Sequence, residues 1–296
     1  MKRDIGIDFI KFIAAFMITN SHMGNFYPET LHFLATGGAI GDALFFFCSG
    51  FTLFLKPMGR FDNWYKRRIS RIFPSAFTWC ILSAIVIGHD ISIISTLKWS
   101  GGWFVKCIMI YYLLIFIIER FAKNHLNSIF ISMIAIVIAS YFLWNKSDNF
   151  SMYGNTYYKW VLFFIYMLFG SIVGTGKINI ISGRKSLIIF IISVLSFYGI
   201  FFVSQRYEIL NNLQIISMFA LLGIVYSMYS LCNCNISKKL FKNDIIHWIV
   251  MFIGGMCLEI YIVQGNLLPI IHFELLFPIN YIIAFAIIII SAFILK

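Results

Sequence analysis

Long apolar runs recur from one end of the chain to the other, separated by short polar or basic stretches. Most approach the ~20 residues that a helix needs to cross the hydrocarbon core. They are continuous rather than alternating, which favours helices over the strands of a barrel. In order, they predict about ten membrane-spanning helices, near 5–25, 38–55, 72–90, 102–120, 127–144, 159–176, 186–203, 212–232, 246–266 and 277–295. The expected fold is an all-α polytopic transmembrane bundle forming one domain over 1–296. Asp8 and Lys11 interrupt the first run and no small-residue cleavage site follows it, so it reads as a retained span rather than a signal peptide. Neither an internal repeat nor a broken helix is visible in the pattern.

Composition agrees with this pattern: 60% of residues are hydrophobic, 12% are charged, and mean hydropathy is +0.87. A soluble domain would carry more surface charge. The net charge of +11 would suggest an acidic partner such as nucleic acid, but its distribution explains it. With the N-terminus in the cytoplasm, that side collects Lys2, Arg3, Lys56, Arg60, Lys66, Arg67, Arg68, Arg71, Arg120, Lys123, Lys177, Arg184, Lys185, Lys238, Lys239, Lys242 and Lys296. The outer side has only Lys98, Lys146, Lys159 and Arg206. The bias predicts both termini inside. Trp99, Trp103, Trp144 and Trp160 fit an outer aromatic belt. The six cysteines make no framework: Cys48, Cys80, Cys107 and Cys257 fall in spans, and Cys232-x-Cys234 has no second pair, so no metal site is expected.

The first span carries Asp8, Lys11 and His22, which lipid disfavours and which usually face a protein-lined or watery interior. Lys11 and His22 are separated by roughly three helical turns, about 16 Å, and share one face, with Asp8 one turn before Lys11. Asp42 lies near the outer end of span two. It could meet His22, fixing the imidazole for general-base work, or simply cap its helix. Ser49 and Gly50 suit close helix packing. The segment 56–71 is more basic than topology requires. Its Lys66, Arg67, Arg68 and Arg71 could hold phosphate groups, with Arg68 and Arg71 on one helix face, or could contact anionic lipid. Pro74 is expected in the first turn of span three, where proline is tolerated. In span nine, Glu259 and Tyr261 could line a cavity.

Asp8-x-x-Lys11 with His22, LFFFCSGF at 44–51 and RRISRIFP at 67–74 resemble the acyltransferase-3 family of integral membrane O-acyltransferases. Gly102-Trp103-Phe104, LFGSIVG at 168–174 and LEIYIVQ at 258–264 extend the likeness. The family often has Arg where Lys11 stands and His where Gln264 stands. Gln264 can orient a group but cannot take a proton. The resemblance implies transfer of an acetyl or other short acyl group onto sugars of bacterial cell-surface glycans. It implies His22 as the central catalytic residue, Lys11 as its essential partner, and Arg68 and Arg71 as required basic groups. Acetyl-CoA, or another acyl-CoA, is then the expected donor, its phosphates held by the basic segment. Trp103, Glu259, Tyr261 and Gln264 are expected along the cavity, the acceptor is a glycan, and the location is the bacterial inner membrane. The rival reading is a proton-coupled transporter or flippase, since buried Asp, Lys, His and Glu also build proton relays.

Overall fold

The apolar runs fold as helices because a backbone in lipid must satisfy its own hydrogen bonds. A computed structural model describes residues 4–87, 102–144, 150–154, 157–176, 178, 180–273 and 276–296. Of the residues singled out above, Lys2, Arg3, Lys98, Trp99, Lys146 and Lys177 lie outside them. The helices are α1 (Ile5–His22), α2 (Gly38–Leu53), α3 (Phe61–Ile87), α4 (Gly102–Ala122), α5 (Leu126–Trp144), α6 (Tyr158–Leu162), α7 (Phe164–Gly174), α8 (Gly183–Arg206), α9 (Ser217–Cys232), α10 (Asn235–Leu240), α11 (Asp244–Gly254), α12 (Cys257–Leu267) and α13 (Ile279–Leu295). Short 3-10 segments fill Gly24–Phe26, Glu29–Leu34, Lys123–His125 and Glu208–Ile216, and no strand occurs among the described residues.

Every expected span has a helical counterpart, but the helices differ in how well each could cross a bilayer. Among the described residues four stretches are long and apolar enough: Glu29–Leu53, Gly102–Trp144, Gly183–Ser204 and Leu210–Cys232. A fifth arises if α11 and α12 are counted as one bent span. The molecule is therefore a multi-pass helical membrane protein. The other segments fall short for visible reasons. Asp8, Lys11, Asn20 and His22 lower the hydropathy of α1, and α3 opens with the basic segment.

Three details differ from the expectations. First, α3 begins at Phe61 rather than near 72, so the Lys66–Arg71 stretch is helical and not a loop. Second, Pro74 consequently lies inside α3 rather than in its first turn. It leaves the Ser70 carbonyl without its i+4 donor. Third, the ninth span is broken. α11 and α12 are bent by 60° at Gly254-Gly255-Met256, where adjacent glycines impose little helical preference.

Contacts group the residues into two compact units, 1–10 with 42–58 and 115–247, and 11–41 with 59–114 and 248–296. In the first, α2 lies directly on α7. A Cβ on Gly50 would strike the Met167 carbonyl, and one on Gly170 or Gly174 would strike the carbonyls of Phe47 or Phe51. The Ser171 hydroxyl donates to the Gly50 carbonyl at 3.4 Å. Small residues at this spacing let two backbones approach in lipid, which is the packing role expected of Gly50. A polar layer closes one end of this unit. Gln214 accepts from the Met152 amide at 3.0 Å, Tyr141 donates to the Asn211 carbonyl at 2.8 Å, and Tyr158 donates to the Val137 carbonyl at 3.1 Å.

In the second unit α3 packs against α12 and α13. The start of α2 runs antiparallel to the end of α1. Cβ atoms on Gly38 and Gly41 would meet the Ser21 hydroxyl and the Ile18 side chain. Gly37, at φ +102°, makes the turn that sends the chain into α2.

Candidate functional site

Most of the candidate residues fall in the second unit: Lys11, His22, Lys66, Arg67, Arg68, Arg71, Trp103, Glu259, Tyr261 and Gln264. Asp8 and Asp42 belong to the first. The helical spacing of Lys11 and His22 is realised, because both lie on α1 with no break between them. Lys11 is half-buried, as a charged group lining a protein-enclosed path would be, whereas His22 is exposed at the last position of the helix. Asp8 is buried.

The surroundings of His22 are built by a residue that sequence reasoning passed over. Asn20, two positions earlier, uses both ends of its side chain. Its amide donates to the Leu34 carbonyl at 2.7 Å and the Thr36 carbonyl at 3.0 Å. Its oxygen accepts from Tyr27 at 2.7 Å and from Tyr281 at 3.0 Å. All four partners are thus tied to the end of α1. Asn280 adds a bond to the Phe26 carbonyl at 3.0 Å, and Tyr27 packs on Phe277 and Tyr281 with ring centroids 5.3 and 5.2 Å apart. The 24–36 segment is thereby fixed between α1 and α13. His32 also belongs here, because its Nε2 lies 2.8 Å from where a Gly24 Cβ would be. A polar Asn in the last turn of a membrane span, beside the charged stripe already noted, was the available signal.

The basic segment separates into two kinds of residue. Lys66, Arg67 and Arg71 are exposed along the first part of α3. Arg68 is half-buried, with its guanidinium 5.3 Å from the Trp64 ring centroid and 5.9 Å from that of Tyr112. Burial lowers its pKa from the ordinary guanidinium value, Tyr112 opposes this, and Arg71 and Arg67 add to it. The group remains a cation, since arginine does not deprotonate in proteins. Its Nε is buried without a hydrogen-bond partner, so two aromatic faces hold a fork whose donors are not all used.

Around the broken helix, Glu259 is buried and accepts from Ser75 on α3 at 3.3 Å. Tyr261 packs on Phe104 with ring centroids 4.6 Å apart, and Phe104 adjoins Trp103 edge-on at 6.0 Å. This brings the Trp103 end of α4 beside α12. Gln264 is 2% exposed and its Oε1 has no hydrogen-bond partner. A buried acceptor left open is a place for a ligand donor or a water.

In the first unit Asp42 is half-buried, and its Oδ1 is enclosed without a hydrogen-bond partner. Lys159, one of the four basic residues expected on the outer side, is 6% exposed and lies within electrostatic reach of Asp42. Among the described residues no group of three or more His, Cys, Asp and Glu side chains could hold a metal ion.

No curated protein and no solved structure matches the chain. The family model Acyl_transf_3, described as an acyltransferase domain, matches residues 4–296. A membrane-embedded helical chain with a half-buried lysine and an exposed histidine on its first helix, matched by this model over nearly its full length, belongs to the acyltransferase-3 family and is a membrane acyltransferase.

Proposed function

We propose that the protein is an O-acyltransferase, most simply an O-acetyltransferase, of a bacterial inner membrane. It takes an acyl group from a cytoplasmic acyl-CoA and places it on a hydroxyl of a cell-surface polysaccharide or lipid-linked glycan. The chain crosses the membrane about ten times with both termini inside, which puts the basic start of α3 on the donor side and the His22 end of α1 on the acceptor side. The observation that carries the reading is α1 itself, one unbroken helix with Lys11 and His22 about 16 Å apart along its axis. That distance approximates half the hydrocarbon thickness.

The roles follow from the residue types. Arg68, held between Trp64 and Tyr112, pairs with donor phosphate through a fork, and Lys66, Arg67 and Arg71 add exposed positive charge. Lys11 holds the donor or stabilises charge that develops during transfer. His22 takes the proton of the acceptor hydroxyl, or carries the acyl group as a transient nucleophile. Asp42 supplies a carboxylate to this chemistry. Asp8, Trp103, Glu259, Tyr261 and Gln264 line the path, and the unpartnered Gln264 oxygen suits an amide or hydroxyl donor. Surface-glycan NMR of a deletion strain carrying the wild-type gene or a His22 variant tests the proposal. The acyl signal should return only with wild type.

The break at Gly254-Gly255 also favours a second reading, because discontinuous helices near buried carboxylates are common in transporters. A flippase would carry its cargo unmodified, so an acyl signal dependent on His22 separates the two.

A further inference from the structure

We infer that Lys159 is the buried counter-charge of Asp42 and a positioning residue for it. The inference rests on the proposed part of Asp42 in acyl transfer. The geometry comes from the register of α2 against the Tyr158–Gly174 stretch. Phe46 meets Phe163 with ring centroids 5.8 Å apart. One turn on, Gly50 lies against the Met167 backbone. Both pairs advance by four residues in the same direction, so the helices run parallel in a fixed register. One turn back along the same stripes stand Asp42 and Lys159. The register therefore places a carboxylate and an ammonium at the heads of two helices joined by glycines.

Three further observations agree. Lys159 is 6% exposed, whereas a lysine serving only as a membrane anchor would extend to water. Its charge reaches Asp42. The glycine contacts at Gly50, Gly170 and Gly174 fix the backbones so closely that the two helices cannot slide. A buried charge is retained when it is paired, and removing one member strands the other. Lys159 thus offsets part of the cost of enclosing the Asp42 carboxylate and holds it in place, while the enclosed Oδ1, which has no hydrogen-bond partner, remains open to accept from a donor in the reaction.

The test is a double-mutant cycle on the purified full-length protein, with Lys159→Met, Asp42→Asn and both together. Thermal unfolding reads the pair. Lys159→Met alone should lower Tm, and adding Asp42→Asn should restore part of the loss, because no carboxylate is then stranded. Acylation reads the positioning role. Lys159→Met should cut the rate by roughly 5- to 50-fold beside an intact Asp42, and much less in the Asp42→Asn background. Should Lys159→Met alone not yield folded protein, recovery of folding in the double variant supports the pair. Additive Tm losses overturn the pairing. An equal rate loss in both backgrounds overturns action through Asp42. Wild-type acylation by Asp42→Asn alone removes Asp42 from the proposed chemistry, and the positioning role of Lys159 with it, while the Tm cycle still reports on the pair.

Discussion

The Tyr281 hydroxyl donates to the Asn20 side-chain oxygen at 3.0 Å, tying α13 to the end of α1 that carries His22. Tyr281→Phe removes one of the two donors to that oxygen and should cost about 1 kcal/mol in thermal unfolding. Asn20→Ala also strips the Leu34 and Thr36 carbonyls of their donor, so it should cost more and slow acylation by freeing the loop around His22. Equal melts for the two variants would show that the bonds to the Leu34 and Thr36 carbonyls add nothing to the clamp.

Gly170→Ala should destabilise by about 1–3 kcal/mol, because its new methyl group would meet the Phe47 backbone and push α2 from α7. Gly199→Ala is the control. Nothing lies within 4 Å of a Cβ there, and alanine is the better helix former by roughly 0.5–1 kcal/mol. Melting of both variants in detergent should show opposite signs.

Arg68→Lys keeps the charge but loses the planar fork stacked on Trp64 and Tyr112. Its donor KM should rise by roughly 5- to 30-fold, the equivalent of a cation–π contact of about 1–2 kcal/mol. Arg71→Lys, at an exposed position, should change it far less. Replacing both with Gln should weaken donor use without affecting insertion. An unchanged KM in the double Gln variant would make these residues topological charges alone.

Cys234, just beyond the end of α9, has a thiol pKa below the ordinary value. Burial raises it, but hydrogen bonding with Ser237 and the backbone amides of Ser237 and Ile236, with the Lys238 charge, lowers it further. A lowered thiol pKa means more thiolate at neutral pH, so alkylation should reach half its maximal rate at a lower pH than for free cysteine. Ser237→Ala should move that midpoint up. The same thiol reports topology. An impermeant maleimide applied from outside should miss Cys234 and cysteines placed at 56–71, and reach cysteines placed at 145–158. Labelling of 56–71 from outside would invert the proposed orientation.

The apolar runs made the helices legible, since each expected span has a helical counterpart. The polar stripe of α1 was legible too, because Lys11 and His22 need only helical periodicity to share a face. Hydropathy hid the early start of α3, as basic residues that continue a helix resemble a polar loop. It also hid the break in the ninth span, although Gly254-Gly255 marked the place. Lys159 reads in the sequence only as one of the few outer-side charges. Its burial depends on which helix α7 packs against, and only the stripe shared by Lys159, Phe163, Met167, Gly170 and Gly174 hinted at that. Asn20 depends on partners as distant as Tyr281, which no local pattern reveals.

Acylation of the surface glycan by a His22→Gln variant, at membrane levels matched to wild type, is the most direct test of the central claim. Gln keeps a similar polar shape but cannot titrate or carry an acyl group. Loss of a general base costs roughly 10²–10⁴-fold, so the acyl signal should vanish, as it should for His22→Ala. Lys11→Arg should retain activity and Lys11→Ala should not, while Asp42→Asn should slow the reaction without abolishing it. Near-wild-type acylation by His22→Gln would contradict the proposal, since His22 would then serve packing or hydrogen bonding rather than acyl transfer.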